Sequence, residues 1–376
     1  MLIAEHTATI EACRFCFMCR HVCTAGVVSG KESDTPRGKG LILFKALKGH
    51  LDYSPDTVET LYRCCLCGLC QTWCKAGCTP PEAVLAARAD VVAQGKEPEK
   101  VRQIKEHLLT TGNLFGLPAD ARFQSLAAAD VFRPRAEVLY YVGCDTAYLQ
   151  PEIASALVRI LRAARVDFSV LRDERSTGKP LWLLGYRADA LAMAQDLVAQ
   201  IRATQCRTLV TGCPSSFNAF VKDYPAMGLD LGGIEVLHTT QYLERLCQQH
   251  RLVPRRAPVS SATLLDGTYL GRTHAILDEP RQVLERLPGL DVREMGWSRE
   301  LAYASGEPGG IFRLLQPDLS RQMATRVLAE AAQTRAEVLV TTCPATKTAL
   351  AGAQLSSPRV LDLVELLDLS LGQSNP

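Results

Sequence analysis

Two stretches hold most of the chemistry that this 376-residue chain can offer. The first is Cys13-Arg-Phe-Cys16-Phe-Met-Cys19-Arg-His-Val-Cys23, and the second is Cys64-Cys-Leu-Cys67-Gly-Leu-Cys70-Gln-Thr-Trp-Cys74. Both read C-x2-C-x2-C-x3-C. Loops with two residues between thiols aim three successive sulfurs at three irons of a compact cube, a surround that no single helix face provides. The fourth thiolate of each run reaches the other cube. The expected ligand sets are therefore Cys13, Cys16, Cys19 and Cys74 for one 4Fe–4S cluster, and Cys64, Cys67, Cys70 and Cys23 for the second.

Structural zinc is the main alternative. Zinc sites usually pair one C-x2-C with a second ligand pair well downstream to close a single tetrahedron, which is not this spacing. A disulfide framework fits still less well, because the thiols are densely packed and no secretory signal precedes them. Thr24 and Lys75 follow the fourth cysteines where bacterial ferredoxins have proline, so the local turns differ from that pattern while the ligand count stands. Cys65 and Cys78 are surplus to the spacing and read as packed thiols beside the ligands. His21 is either a hydrogen-bond donor to cluster sulfur or a solvated loop residue, and Arg14, Arg20 and Lys75 place positive charge nearby.

The composition, 47% apolar and 22% charged, is that of an ordinary globular chain with room for two or three domains. A formal charge of +2 supplies no basic field for nucleic acid, which is discounted as a partner. No unbroken apolar run reaches the eighteen or more residues of a bilayer span, so the expected location is the cytoplasm, with attachment to the cytoplasmic side of a membrane through a partner left open. Ten of the fifteen cysteines precede residue 80, leaving Cys144, Cys206, Cys213, Cys247 and Cys343 to the remainder.

The elements that must position the thiols are mostly helical. Thr35-Pro-Arg-Gly-Lys-Gly40 reads as a turn before an apolar helix at 41–47, Ser54-Pro-Asp-Thr57 as a helix start, and 80–94 and 98–109 as helices. Residues 1–112 are thus expected to form an α-helical ferredoxin domain, followed by a connecting segment at 113–135. From residue 136 the texture becomes α/β. Strands are expected at 138–142, 207–211, 262–265 and 338–341, with helices at 151–162 and 279–287. Leu209-Val-Thr-Gly-Cys-Pro-Ser215 and Leu339-Val-Thr-Thr-Cys-Pro-Ala345 mark an internal repeat. The repeats are placed at 136–250 and 262–376 with a linker at 251–261, which makes the fold class α plus α/β with parallel strands.

With the two cysteine runs, Thr35-Pro-Arg-Gly38 and the repeats in view, the chain resembles the iron–sulfur subunits related to heterodisulfide reductase, glycolate oxidase, anaerobic glycerol-3-phosphate dehydrogenase and lactate-utilisation proteins. In the second repeat, Gly271-Arg272, Glu279-Pro-Arg281, Pro288-Gly289, Glu294-Met295, Gly306-Glu-Pro-Gly-Gly310 and Thr342-Cys-Pro344 stand where such proteins have similar residues. Those proteins carry "CCG" repeats with a cysteine after the first strand, a central Cys-Cys-Gly and a late Cys-Pro-x-Cys. Here the first repeat keeps Cys144 but has Ser176-Thr-Gly178 and Cys213-Pro-Ser-Ser216. The second has Thr268, Ala304-Ser-Gly306 and Cys343-Pro-Ala-Thr346. Neutral hydroxyls replace thiolates poorly at soft iron. No cluster is therefore expected in either repeat, and the Gly306–Gly310 stretch reads as the remnant of a ligand loop.

The resemblance implies an electron-transfer subunit that relays electrons from an FAD-linked dehydrogenase of the glycolate or lactate type to a quinone or other acceptor. The chain's own residues supply one-electron carriers without an acid, base or nucleophile constellation around them. Two other readings compete with it. One is a thiol or disulfide reductase using Cys144 and Cys213, and the other is a zinc-stabilised interaction module. Cys213 and Cys343 each precede a helix whose dipole lowers a thiol pKa, but no partner adjoins either in sequence, so both read as small buried residues at tight turns.

Overall fold

The computed structural model describes residues 1–126, 130–353 and 358–372; the last four residues assigned to the second repeat lie outside them. Helices build the first part. Thr35 caps the helix Pro36–Leu47 by accepting the Gly38 N–H at 3.1 Å, with Pro36 at the first helical position. The segment read as a turn is therefore the cap and first turn of that helix. Ser54 caps Pro55–Tyr62 in the same way, and Pro80–Ala93 and Glu99–Thr111 come next. Arg88 is 1% exposed at the middle of this bundle. Its guanidinium donates to the carbonyls of Leu183, Leu61 and Cys64, and its carbon lies 4.8 Å over the Tyr62 ring. The bundle core continues into Leu181, Leu183, Leu184 and Tyr186, so the helical part is fused to the first repeat.

Two four-stranded sheets make up the rest. The first contains β1 (Val138–Tyr141), β2 (Phe168–Val170), β3 (Thr208–Thr211) and β4 (Glu235–His238), and the second contains β5 (Ser261–Leu265), β6 (Asp291–Arg293), β7 (Val338–Thr341) and β8 (Arg359–Asp362). The orders are β2-β1-β3-β4 and β6-β5-β7-β8, and every pairing is parallel. The internal repeat is thus a repeat of topology. The central strands β1, β3, β5 and β7 are the four that the sequence marks. Strands β2, β4, β6 and β8 flank them in three or four residues each, and Asp291, Arg293 and Arg359 make two of them look like loops.

One apolar cluster runs through both sheets' helices, from Leu157 and Leu161 to Leu363 and Leu366 and from Leu243 and Leu246 to Val283 and Leu284. A parallel sheet must be covered on both faces, and here each repeat supplies helices that cover part of the other. A further cluster packs Cys19, Val22, Leu69 and Cys70 of the helical part against Met295, Ala302, Val327 and Leu328.

Candidate functional site

The first cysteine run leaves the helix Thr7–Cys13 and ends where Thr24–Ser29 begins. The second comes after Pro55–Tyr62 and turns through Leu66 and Gly68, both with positive φ, into the short helix Leu69–Thr72. The thiols fall into two neighbourhoods. Burial pushes Cys13 up to about 12, and the next contributions come from Cys19, Cys78, Cys74 and Cys16. Cys70 is raised by burial and then by Cys67, Cys64, Cys23 and Cys19. Cys23 is raised to about 12 by burial, with Cys67 and Cys64 among its neighbours. Cys74 is thus among the neighbours of Cys13, together with Cys78, and Cys23 is among those of Cys70, together with Cys19.

The surplus thiols have defined places. The Cys78 amide donates to Cys74 Sγ at 3.4 Å. Cys65 hydrogen-bonds Cys67, which lowers the Cys67 pKa, and the Arg272 guanidinium lowers it further. His21 is exposed, with its ring edge-on to Trp73 at 5.1 Å.

Three residues that spacing does not single out frame these thiols. Lys39 is 2% exposed and donates its ammonium to the carbonyls of Asp34 and Ser33, and its charge acts against burial at Cys23. Asp34 in turn is held by both ends of the Arg63 guanidinium, at 2.7 and 2.6 Å. Arg272, from the second repeat, donates to the carbonyl of Cys67. Lys39 and Arg272 both lie in the quoted motifs, yet only their folded positions give them a role.

The space that the thiols enclose decides whether they fit a cluster. Cys23, Cys64, Cys67 and Cys70 line a cavity with Cys13 and Cys65, beside Gly40, Leu43 and Val84. A Cβ at Gly40 would stand 3.3 Å from both Cβ and Sγ of Cys13, so glycine there keeps the thiol's space open. Among the described residues no three His, Cys, Asp or Glu side chains converge on a single point, as a one-ion site requires. Several thiols around one void are the donor set that a polynuclear cluster takes.

A second pocket lies where the carboxyl ends of β1, β3, β5 and β7 face one another. In each sheet this is the point where the strand order reverses, the usual ligand crevice of open α/β folds. Cys144, Cys213 and Cys343 all line it, together with Asp145, Thr268 and Glu307. Cysteines that the sequence divides between two repeats therefore share one site. Gly143 adopts φ 81°, and a Cβ there would lie 3.3 Å from the Cβ of Cys213, so this turn requires glycine. Burial raises Cys213 to about 11 and holds Cys343 and Cys144 above the usual thiol range, which outweighs the helix dipoles. Arg122 donates to Cys144 Sγ at 3.7 Å while bound to the buried Glu174 at 2.6 Å. The site's carboxylates are also held: Glu307 accepts from the Ser305 amide and hydroxyl and from Thr268, and Asp145 pairs with Arg313.

Residues 138–220 and 262–351 match the family model of the CCG cysteine-rich domain. Both repeats are CCG domains. The chain is homologous to the D subunit of dihydromethanophenazine:CoB–CoM heterodisulfide reductase, being 28% identical to that of Methanosarcina barkeri over 99% of this chain and 97% of that protein. It is also similar to the EtfAB:quinone oxidoreductase of Syntrophomonas wolfei, with 25% identity over 82% of this chain and 46% of that protein. A hypothetical protein from Helicobacter pylori shares the fold at a TM-score of 0.57 and 8% identity, over 100% of this chain and 76% of that one. The relatives are subunits and enzymes of iron–sulfur oxidoreduction, and the CCG domains here sit behind a cysteine-rich helical part. Among the described residues no helix is long and apolar enough to cross a membrane.

Proposed function

We propose that this chain is an electron-transfer subunit whose residues 1–112 form a ferredoxin domain with two 4Fe–4S clusters. Cys13, Cys16, Cys19 and Cys74 hold the first, and Cys64, Cys67, Cys70 and Cys23 the second. When bound, such clusters accept and release single electrons. The chain's own residues exclude water, fix the thiols and add positive charge through Lys39 and Arg272. What supports this reading is the mixing of the two runs: Cys74 is among the thiols that act on Cys13 and Cys19, and Cys64 and Cys67 are among those that act on Cys23.

The donor in this proposal is a flavin-dependent dehydrogenase acting on a 2-hydroxy acid such as glycolate or lactate, and the acceptor is a quinone or another carrier. The chain works in the cytoplasm or at the cytoplasmic face of a membrane. The CCG domains, spanning 136–250 and 262–376 around a linker at 251–261, serve as the scaffold that docks these partners and hold no cluster of their own. Anaerobic affinity purification of the tagged chain from its native host tests this. The expected result is about eight irons per chain and a co-purifying flavoprotein whose 2-hydroxy acid substrate bleaches the clusters. A chain containing zinc and no iron overturns it.

A second reading, thiol–disulfide chemistry, is favoured by one observation: Cys144, Cys213 and Cys343 converge on the pocket between the CCG domains. Cleaving a disulfide takes two electrons and two protons, and two single-electron deliveries from the helical part would supply the former. Replacing Cys144 and Cys213 together by alanine abolishes disulfide reduction on this reading and leaves electron transfer untouched on the first.

A further inference from the structure

The first cysteine run carries an exposed apolar patch. Phe15, Phe17 and Met18 are 71%, 67% and 60% exposed, and Cys16 among them is exposed as well. Among the described residues no other three large apolar side chains this exposed fall within four consecutive positions. Two phenylalanines and a methionine held in water are unfavourable unless something covers them, and such contiguous patches mark interaction sites. The patch also lies where an electron would enter or leave, because Cys16 belongs to the proposed first cluster and is the only one of its four thiols in the exposed class.

The charges around it select the kind of partner. Residues 12–31 and 60–81, the two segments that carry the cysteine runs, contain Arg14, Arg20, Lys31, Arg63 and Lys75 and no aspartate or glutamate. Arg14 lies 4.6 Å over the Phe15 ring, and Arg20 and Lys75 are exposed. Of the carboxylates that border these segments, Glu11 pairs with Lys48 and Glu32 with Arg20 and Arg37, while Glu59 and Glu82 flank the second segment and are exposed. An apolar centre with a basic surround complements a surface with an apolar centre and an acidic rim. A membrane surface calls for a denser run of lysine and arginine than these isolated residues provide.

We propose that Phe15, Phe17 and Met18, flanked by Arg14, Arg20 and Lys75, form the docking surface for a one-electron redox protein with an acidic face. The proposal rests on the electron-transfer reading and adds the place and the chemistry of contact. In each encounter one electron is lost by the reduced partner and gained by iron held at Cys13, Cys16, Cys19 and Cys74, with no bond formed or broken.

Flavodoxin, an acidic flavin carrier, is a suitable probe for the iron-loaded full chain. Calorimetry is expected to show binding that weakens at least tenfold between 50 and 500 mM salt. The F15S/F17S double variant is expected to bind at least tenfold more weakly, and R20E to lose most of the salt dependence, while iron content and reduction by dithionite stay as in the wild type. The proposal is overturned if the iron-loaded wild type does not bind flavodoxin, if F15S/F17S binds as the wild type does, or if the variant instead abolishes self-association in sedimentation or adsorption to vesicles of phosphatidylserine and phosphatidylcholine. Absence of iron from the wild type defeats the electron-transfer reading itself, a result distinguishable from loss of binding with iron intact.

Discussion

Arg272 of the second CCG domain donates its Nε–H to the carbonyl oxygen of Cys67, 2.8 Å away in the second cysteine run. The same guanidinium reaches Thr268 Oγ1 at 2.9 Å and the carbonyl of Ala302. A scaffold residue thereby places a fixed positive charge beside the proposed second cluster. Positive charge favours the reduced, more negative state. Replacing Arg272 by glutamine should lower that cluster's reduction potential by on the order of 50 mV, as for one charge at moderate effective dielectric. An EPR-monitored redox titration would show it, and an unshifted potential would mean that the charge is screened.

Cys74 and Cys78 are joined by an N–H···S contact, yet only Cys74 completes the spacing. Cys74→Ala should reduce the iron content from about eight to about four per chain, whereas Cys78→Ala should leave it near eight. Iron and acid-labile sulfide assays on anaerobic protein decide the matter. The opposite ranking would move the ligand to Cys78.

Gly38 and Gly40 test how closely the helix Pro36–Leu47 approaches the turn at Glu32 and the first run, respectively. A Cβ at Gly38 would meet the Glu32 carbonyl oxygen at 2.1 Å, a backbone atom that cannot move without breaking the Thr35 cap. At Gly40 the clash is milder, with Cys13 at 3.3 Å. Gly38→Ala should therefore cost about 3 kcal/mol of stability and Gly40→Ala about 1 kcal/mol, with iron occupancy reduced in the latter. Thermal unfolding alongside iron analysis separates the two effects.

His238 and Asp362 hold equivalent places at the ends of β4 and β8, and both build capping boxes, over the helices Thr239–Gln248 and Leu363–Ser370. Burial drives their pKa values in opposite senses. His238 falls to about 3, and Asp362 rises to about 7. A lowered histidine is neutral when folded, so its contribution to stability is present above pH 6.5 and is lost as pH falls toward 3. A raised aspartate contributes below pH 3.8 and loses that contribution as pH rises through about 7. Relative to the wild type, His238→Asn should gain stability as pH is lowered from about 6.5, and Asp362→Asn should gain as pH is raised from about 4 to about 8. Each slope is at most about 1.4 kcal/mol per pH unit. Unfolding midpoints of the wild type and both variants across this range provide the check; parallel curves would show that neither group titrates differently on folding.

The proposed cluster ligands can be read from the residues because such motifs are local. Two or three residues between thiols fix which sulfurs can reach one cube, and no distant contact alters that spacing. The central strands and the principal helices were legible for a similar reason: β1, β3, β5 and β7 are β-rich runs ending at turns, and Thr35 and Ser54 are capping residues before proline. The flanking strands were not legible. At three or four residues with mixed polarity, β2, β4, β6 and β8 become strands by pairing with a neighbour already in place, and pairing is a long-range event. The Thr35–Gly40 segment was misread because proline and glycine signal a turn and the first turn of a helix alike.

The sequence by itself determined that the chain carries eight thiols in two runs of identical spacing, that an α/β repeat comes after them, and that the repeat holds few cysteines. Only the tertiary structure decided where the remaining groups act. Cys144, Cys213 and Cys343 lie up to 199 residues apart and meet because parallel strands carry their carboxyl ends to one side of a sheet and the two sheets then face each other. Lys39, Arg88 and Arg272 acquire their roles in the same way: a charge held inside the fold is defined by the carbonyls and thiols gathered around it, and packing assembles those from separate parts of the chain.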